Sequence, residues 1–188
     1  MHEAGQTRIE TQRLALEPLR LDHAELCIEN LRDVELYTYV PQDAPGHAQE
    51  LRERYRRILR GSRSPDEVWL NWFGSCRSSG RYACFVQATV SVTSRSSLIA
   101  YQTFSPFRRK GLANEACRAV IAHLAATFGT RLVRAEIDSR NVASHRLVES
   151  LHFCRVALKQ KADFFKGADS DEYVYELAIE NDPDRPIK

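Results

Sequence analysis

The sequence lacks the features that mark several large classes of protein. Its five cysteines are an odd number and include no C-x-x-C pair, which argues against a disulfide or zinc framework. No run approaches the ~20 apolar residues of a membrane span, and the first residues contain no apolar signal core. Lys plus Arg number 27 and Asp plus Glu number 25, so the charge balance does not indicate a protein that coats nucleic acid or a membrane. We therefore expect a cytoplasmic protein with no membrane partner and no metal.

Two common phosphate-binding motifs are also absent, namely G-x-x-x-x-G-K-[ST] and the G-x-G-x-x-G dinucleotide turn. The chain has 188 residues, which is a usual size for one domain with one core. We predict a single domain over residues 9–180, with flexible tails at 1–8 and 181–188.

Hydrophobic spacing predicts strands and helices in both halves of the chain. In the first half, "RLALEPL" reads as a strand, "AELCIENL" and "AQELRERYRRIL" as helices, and "EVWLNWFGS" with "YACFVQATVSV" as a hairpin around "CRSSGR". In the second half, the strand "LIAYQTF", a helix beyond Gly111, the strand "RLVRAEID" and a short helix behind Asn141 follow in order. The short helix has Ala143, Leu147 and Leu151 on its expected apolar face. Two closing strands flank the loop "KGADS", which predicts a mixed α/β sheet with helices on its faces.

A basic, glycine-containing turn precedes the longest of these helices, in "SPFRRKGLANEACRAV". The first N–H groups of a helix lack intrahelical partners and the helix dipole adds partial positive charge, so such an end binds phosphate. Gly111 removes a Cβ that would hold a ligand away, Ala113 is small, and Arg108, Arg109 and Lys110 add charge. Taken alone, the hexapeptide from Arg108 to Ala113 also fits a basic surface turn with a glycine hinge.

Several motifs in order resemble the GNAT family of acetyl-CoA-dependent N-acetyltransferases, in particular the branch of ribosomal-protein N-terminal (Rim-type) acetyltransferases. They are T-x-R-L-x-L-x-P-L at 11–19, the Arg-x-x-Gly-x-Ala turn with its helix, the strand with Glu136, and "NVASHRLVESLHF". The resemblance extends from Thr11 to about Ile179. It implies a GNAT fold of about seven mostly antiparallel strands with a splayed central pair, and about four helices.

The resemblance also implies a site for acetyl-CoA. The pantetheine arm would lie in the splayed gap against the main chain of Tyr101, Gln102 and Thr103, with Asn141 touching it. The pyrophosphate would be held by N–H groups from Arg109 to Asn114, a segment that includes Lys110, Gly111, Leu112 and Ala113, with Arg108 adding charge.

Two residues are candidates for the catalytic steps. A primary amine carries a proton at neutral pH and must lose it before transfer. Glu136 matches the glutamate that is the base in some Rim-type relatives, although it is equally readable as a solvated strand residue paired with Arg134 or Arg155. Many relatives use a tyrosine seven residues after the asparagine as the acid, but Val148 stands there. Ser144 is our candidate instead, with first-turn capping as its alternative role.

One further departure is His152, which stands where the family usually has a glycine in the left-handed conformation; we expect His152 to adopt that conformation.

The acceptor is not identified by the sequence. It is an amine-bearing small molecule or a peptide N-terminus, and a homodimer is left open. We expect the first-half helices and the loop "KGADSDEY" to form the acceptor wall. Four aromatic side chains are candidates for its apolar lining and are also readable as core: Trp69, Trp72, Phe164 and Phe165. Three acids are candidates for attracting the amine and are also readable as a solvated loop: Asp169, Asp171 and Glu172. Two other functions fit the sequence less well than the enzyme: an acyl-CoA sensor without catalysis, and an RNA- or ribosome-binding module that uses the basic helix of Arg52, Arg56, Arg60 and Arg63.

Overall fold

The computed structural model describes residues 7–179, so the predicted tails fall outside the described residues except for residues 7 and 8. Eight strands form one sheet: β1 Ile9–Glu10, β2 Leu14–Pro18, β3 Glu67–Cys76, β4 Tyr82–Ser91, β5 Ser96–Thr103, β6 Leu132–Asp138, β7 Cys154–Phe165 and β8 Ala168–Ala178. Four α-helices accompany it: α1 His23–Leu31, α2 Ala48–Leu59, α3 Leu112–Phe128 and α4 Val142–Ser150. Short 3-10 helices lie at Val34–Tyr37 and Ser105–Phe107.

The strand order is β1-β2-β3-β4-β5-β6-β8-β7, and every neighbouring pair is antiparallel except β5 and β6. This arrangement confirms the predicted mixed α/β fold with mostly antiparallel strands, and it shows that the central pair β5 and β6 is parallel. The two-residue strand β1, which pairs with β2, brings the number of strands to eight rather than the expected seven.

The helices cover both faces of the sheet. Successive residues of a strand point to opposite faces, and two successive residues of β3 contact different helices. On one face, Trp72 of β3 meets His123 of α3 with ring centroids 5.7 Å apart. On the other face, Phe73 of β3 meets His23 of α1 at 4.6 Å and Tyr55 of α2 at 6.0 Å. We call these the α3 face and the α1–α2 face.

Two local predictions need correction. In α4, Ala143 is exposed, whereas His145 and Val148 are buried together with Leu151. The helix is rotated because the His145 ring packs on two tyrosines of β8, with centroid distances of 5.2 and 5.6 Å. The predicted loop "KGADS" is mostly strand, because the turn is confined to Lys166 and Gly167, which both have positive φ.

None of the helices within residues 7–179 is long and apolar enough to cross a membrane.

Candidate active site

The parallel strands β5 and β6 separate soon after they meet. Their pairing covers only Ser96–Leu98 against Leu132–Arg134, while β4 stays paired with β5 as far as Thr103. Beyond residue 98 the β6-facing edge of β5 therefore has no strand partner, and its main-chain groups border a gap. The three residues expected to bind the pantetheine arm, Tyr101, Gln102 and Thr103, all lie on this edge.

The side chains along this edge point to alternate faces. The Tyr101 hydroxyl reaches α4 and donates a hydrogen bond to the Ser144 carbonyl oxygen at 3.2 Å. Burial raises the pKa of Tyr101 above its ordinary value, so the phenol remains a neutral donor. On the α1–α2 face, the Gln102 amide donates to the Leu36 carbonyl oxygen at 3.4 Å. The gap is thus bounded by α4 on one face and by the segment after α1 on the other.

The turn before α3 has the backbone that its sequence suggested. Gly111 caps the helix with φ 74°, and Arg109 also has a positive φ of 60°. The first amide to make a helical hydrogen bond is that of Glu115, which donates to the Gly111 carbonyl oxygen at 3.1 Å. The N–H groups of the three residues between them lie at the positive end of the helix dipole. A Cβ on Gly111 would lie 3.4 Å from Nη2 of Arg13, so a cationic group stands directly beside the turn.

The three cations of the turn have different surroundings. The Arg108 guanidinium contacts Glu35 at 2.6 Å and Asp33 at 3.5 Å, so much of its charge is balanced by the segment that follows α1. Lys110 donates from Nζ to the Pro106 carbonyl oxygen at 2.8 Å. Arg109 is exposed. Free positive charge at the turn therefore comes from Arg109 and Lys110 more than from Arg108.

The start of α4 lies across the gap from β5. Asn141 caps the helix, and its Oδ1 accepts a hydrogen bond from the Ser144 N–H at 3.1 Å. Within residues 7–179, the Ser144 hydroxyl itself has no hydrogen-bond partner, so the capping role expected of it as an alternative is carried by Asn141. At the other end of α4, the Asn114 amide donates to the Ser150 hydroxyl at 2.8 Å. This bond ties the first turn of α3 to α4.

Glu136 lies on the α1–α2 face of β6, opposite to the buried Val133, Ala135 and Ile137. Its carboxylate pairs with Lys159 of β7 at 2.7 Å, with 28% of the side chain exposed. The partner is neither Arg134, which pairs with Glu176 at 2.5 Å, nor Arg155.

A second carboxylate stands near Glu136. The sequence suggests Glu172 as a candidate amine attractor, with a solvated loop as the alternative; Glu172 lies in β8, in register with Asp138 of β6 and Lys159 of β7. Burial, followed by the negative charge of Glu136, raises the pKa of the Glu172 carboxyl above its ordinary value. The available signal was the spacing of Glu172 and Glu176, four residues apart in "DEYVYEL", because every second residue of a strand shares a face.

Under α1 and α2 lies an apolar cavity that extends to Gln102. Its lining is mainly aromatic and aliphatic, with one cation: Leu31, Tyr37, Leu51, Arg54, Tyr55, Ile58, Phe73, Phe85 and Gln102. None of the four aromatics suggested for an acceptor wall belongs to it. Trp72 is fully buried and its indole N–H donates to the Thr7 carbonyl oxygen at 2.9 Å, while Phe165 is buried elsewhere and Trp69 and Phe164 are exposed.

Two acids suggested as amine attractors are already engaged. Asp169 pairs with Lys161 at 3.1 Å, and Asp171 accepts a hydrogen bond from the Lys161 N–H at 2.8 Å.

Among the side chains of residues 7–179, no group of three or more His, Cys, Asp or Glu is arranged to hold a metal ion.

Solved structures of acetyltransferases have the same fold. Mycobacterium smegmatis RimJ in complex with CoA-disulfide has 16% sequence identity to this chain and a TM-score of 0.85, over 97% of this chain and 92% of that one. RimL, a ribosomal L7/L12 α-N-protein acetyltransferase in complex with coenzyme A, has 17% identity and a TM-score of 0.82, over 93% and 99%. The ribosomal-protein-S5-alanine acetyltransferase from Vibrio fischeri has 14% identity and a TM-score of 0.79, over 95% and 99%. Identities this low establish the fold alone.

No curated protein matches the sequence at a significant level. The model of the acetyltransferase (GNAT) domain family matches residues 13–154, which include the gap, the turn before α3 and the start of α4. The chain therefore belongs to the GNAT family of acetyltransferases.

Proposed function

We propose that this protein transfers an acetyl group from acetyl-CoA to a primary amine, directly and within a ternary complex. The observation that carries the proposal is the separation of β5 from β6 after only three paired residues, next to a helix start with a left-handed glycine. The gap offers unpaired main-chain groups to an amide-containing arm, and the helix start offers N–H groups to a pyrophosphate. The two features adjoin, as they must to hold one cofactor.

The residues fit acetyl-CoA in distinct ways. The main chain of Tyr101, Gln102 and Thr103 would bind the pantetheine arm, and the N–H groups from Arg109 to Asn114 would bind the pyrophosphate. Asn141 would touch the arm with the part of its side chain that does not cap α4. When bound, acetyl-CoA supplies the activated acetyl thioester.

Glu136 would take the proton from the acceptor ammonium, directly or through a water molecule. It lies on the α1–α2 face of β6, beyond the residues that pair with β5, and therefore beside the gap. Its present partner, Lys159, is itself an ammonium group at 2.7 Å, so the carboxylate already accommodates the charge that an acceptor would bring. Glu172 nearby adds negative potential that attracts a cationic amine.

Ser144 would return a proton to the departing thiolate. It begins α4, on the opposite face of the sheet from Glu136, so the two groups lie on opposite sides of the gap. Its hydroxyl is not engaged within the described part of the chain, and its N–H is held by Asn141 at 3.1 Å, which fixes the residue. Val148, at the position of the tyrosine used by many relatives, is fully buried and offers no acid.

The acceptor that we favour is the N-terminal amine of a protein, in a cytoplasmic setting. The support is the fold shared with RimL, which acts on ribosomal L7/L12, and with the acetyltransferase for alanine of ribosomal protein S5. A small-molecule amine is the other candidate. The ion pairs of Arg52 with Glu25 and of Arg56 with Glu53 neutralise part of the basic α2 surface, which disfavours the RNA-binding alternative.

The test is release of free CoA thiol from acetyl-CoA in the presence of short peptides. Peptides with a free N-terminal serine or alanine should give turnover, whereas the same peptides with a blocked N-terminus and no lysine should not. Binding of acetyl-CoA without turnover on any peptide or small amine would favour the non-catalytic sensor instead.

A further inference from the structure

A second basic depression adjoins the turn before α3, on the side away from the gap between β5 and β6. It has a volume of about 720 Å³, within the usual range for ligand sites. One wall is the hairpin between β3 and β4, with Arg77, Ser78 and Ser79; the other comprises Arg13, Phe107 and Lys110. The proposed site for the pantetheine arm and the acceptor uses none of the hairpin residues.

The depression carries a local excess of positive charge. Arg81 and Lys110 lie over the Phe107 ring, 5.3 and 5.6 Å from its centroid. Within residues 7–179, neither of them has a carboxylate at ion-pair distance. Arg77 has one only at 3.7 Å, from Glu10. In a protein with nearly balanced total charge, such a cluster attracts an anion.

Arg13 connects this depression to the phosphate-binding turn. Its guanidinium pairs with Glu115 at 2.6 Å, donates to the Lys110 carbonyl oxygen at 2.8 Å, and lies 3.4 Å from the position of a Cβ on Gly111. The turn and the depression are therefore neighbouring parts of one positive surface. A ligand with a pyrophosphate on the turn and another anionic group a few ångströms away can occupy both.

We propose that the depression binds the nucleotide end of coenzyme A, with the 3′-phosphate beside Arg77, Ser78 and Ser79. This inference rests on the proposed function, because it requires the pyrophosphate on the turn. A phosphomonoester carries close to two negative charges at neutral pH and three acceptor oxygens. The Arg77 guanidinium and the two hydroxyls are donors of the right type, and their exposure leaves them accessible. Arg77 thus makes the protein select CoA over 3′-dephospho-CoA.

The experiment is calorimetric titration of the full chain with CoA and with 3′-dephospho-CoA. The wild type should bind CoA at least about tenfold more tightly, the usual value of one charge-assisted hydrogen bond to phosphate. Arg77→Ala should lose most of that preference by weakening CoA alone, and Arg77→Lys should keep part of it. Arg63→Ala, which removes an exposed arginine beyond α2, is the matched control and should keep the full preference. Adenosine 3′,5′-bisphosphate should compete with CoA more strongly than inorganic phosphate, because the site takes a nucleotide and not phosphate alone.

The titration results distinguish failure of the proposed nucleotide site from failure of the proposed function. Equal affinity of the wild type for the two cofactors, or a preference that survives Arg77→Ala, overturns this inference and leaves the proposed function intact. Competition by inorganic phosphate as strong as that by the bisphosphate overturns it too. Failure of the wild type to bind either cofactor contradicts the proposed function itself.

Discussion

Substitution of Gly111 separates backbone strain from the loss of an anion site. Gly111 has φ 74°, a conformation that costs a residue with a Cβ about 1–2 kcal/mol. The nearest atom to the new Cβ is Nη2 of Arg13 at 3.4 Å, the end of a flexible side chain, so no further clash is expected. Gly111→Ala and Gly111→Glu should therefore both fold, and both should lose about 1–2 kcal/mol of stability.

The two variants should differ in their response to acetyl-CoA. At a concentration of 100 times Kd, a ligand specific for the native state adds about 2.7 kcal/mol of stability. For a domain of this size this raises Tm by about 5–10 °C. We expect that shift in the wild type and most of it in Gly111→Ala. It should be absent in Gly111→Glu, because a carboxylate would stand where the pyrophosphate binds. A wild-type shift in Gly111→Glu would mean that the pyrophosphate lies elsewhere.

Three other substitutions test separate parts of the account. Glu136→Gln should lower kcat by about 10²- to 10⁴-fold and remove the fall of the rate at acid pH. Glu176→Gln should do neither, because Glu176 lies in β8 on the same face but opposite Arg134, at the end of β6 that pairs with β5; equal kcat for the two variants would exclude Glu136 as the base. Ser144→Ala should lower kcat toward the smaller end of that range with acetyl-CoA affinity unchanged, and a loss of affinity instead would make Ser144 a binding residue. Asp138→Asn should reduce stability in urea unfolding. Burial alone would raise the pKa of Asp138, but hydrogen bonds, chiefly from Arg140, hold it at about 2 against an ordinary 3.8. This carboxylate therefore contributes about 2 kcal/mol above pH 4 that is lost as the pH falls toward 2, so the wild type and Asp138→Asn should converge in acid; a difference independent of pH would refute this reasoning.

Features fixed by short-range rules were predictable from the sequence. The strand and helix limits follow from hydrophobic spacing, and the Asn141 cap and the left-handed Gly111 follow from residue type. His152 adopts a φ of 68° in the place of the family glycine, as expected from the helix-ending position it occupies. These features depend on a few neighbouring residues, so the sequence specifies them locally.

Side-chain partners distant in the chain were not predictable. Glu136 pairs with Lys159 because β8 lies between their strands and β7 is in register with β8 at that point. Register irregularities in β7 on either side of Lys159 cannot be derived from alternation alone, and a one-residue slip would move every side chain to the other face. Arg108 likewise pairs with Glu35, which is 73 residues away in the chain. Glu35 belongs to the 3-10 helix Val34–Tyr37, which no periodic pattern in the sequence predicted.

The sequence did not predict the apolar cavity under α1 and α2 or the basic depression, for the same reason. Tyr37, Tyr55 and Phe85 come from three separate segments and meet only when α1 and α2 cover the sheet. Arg77 belongs to a hairpin that reads as an ordinary turn. The turn before α3 lies on one continuous segment and could be singled out from the sequence, whereas clusters assembled from several segments could not.

The central claim is that an amine accepts the acetyl group of acetyl-CoA on this protein. The most direct measurement is mass spectrometry of a cell lysate and an amine library incubated with isotopically labelled acetyl-CoA, using the wild type and Gly111→Glu in parallel. The account predicts labelled acetyl on an amine, most prominently on protein N-termini, with the wild type and not with the variant. No labelled amine with the wild type, while acetyl-CoA still raises its Tm, would contradict the claim.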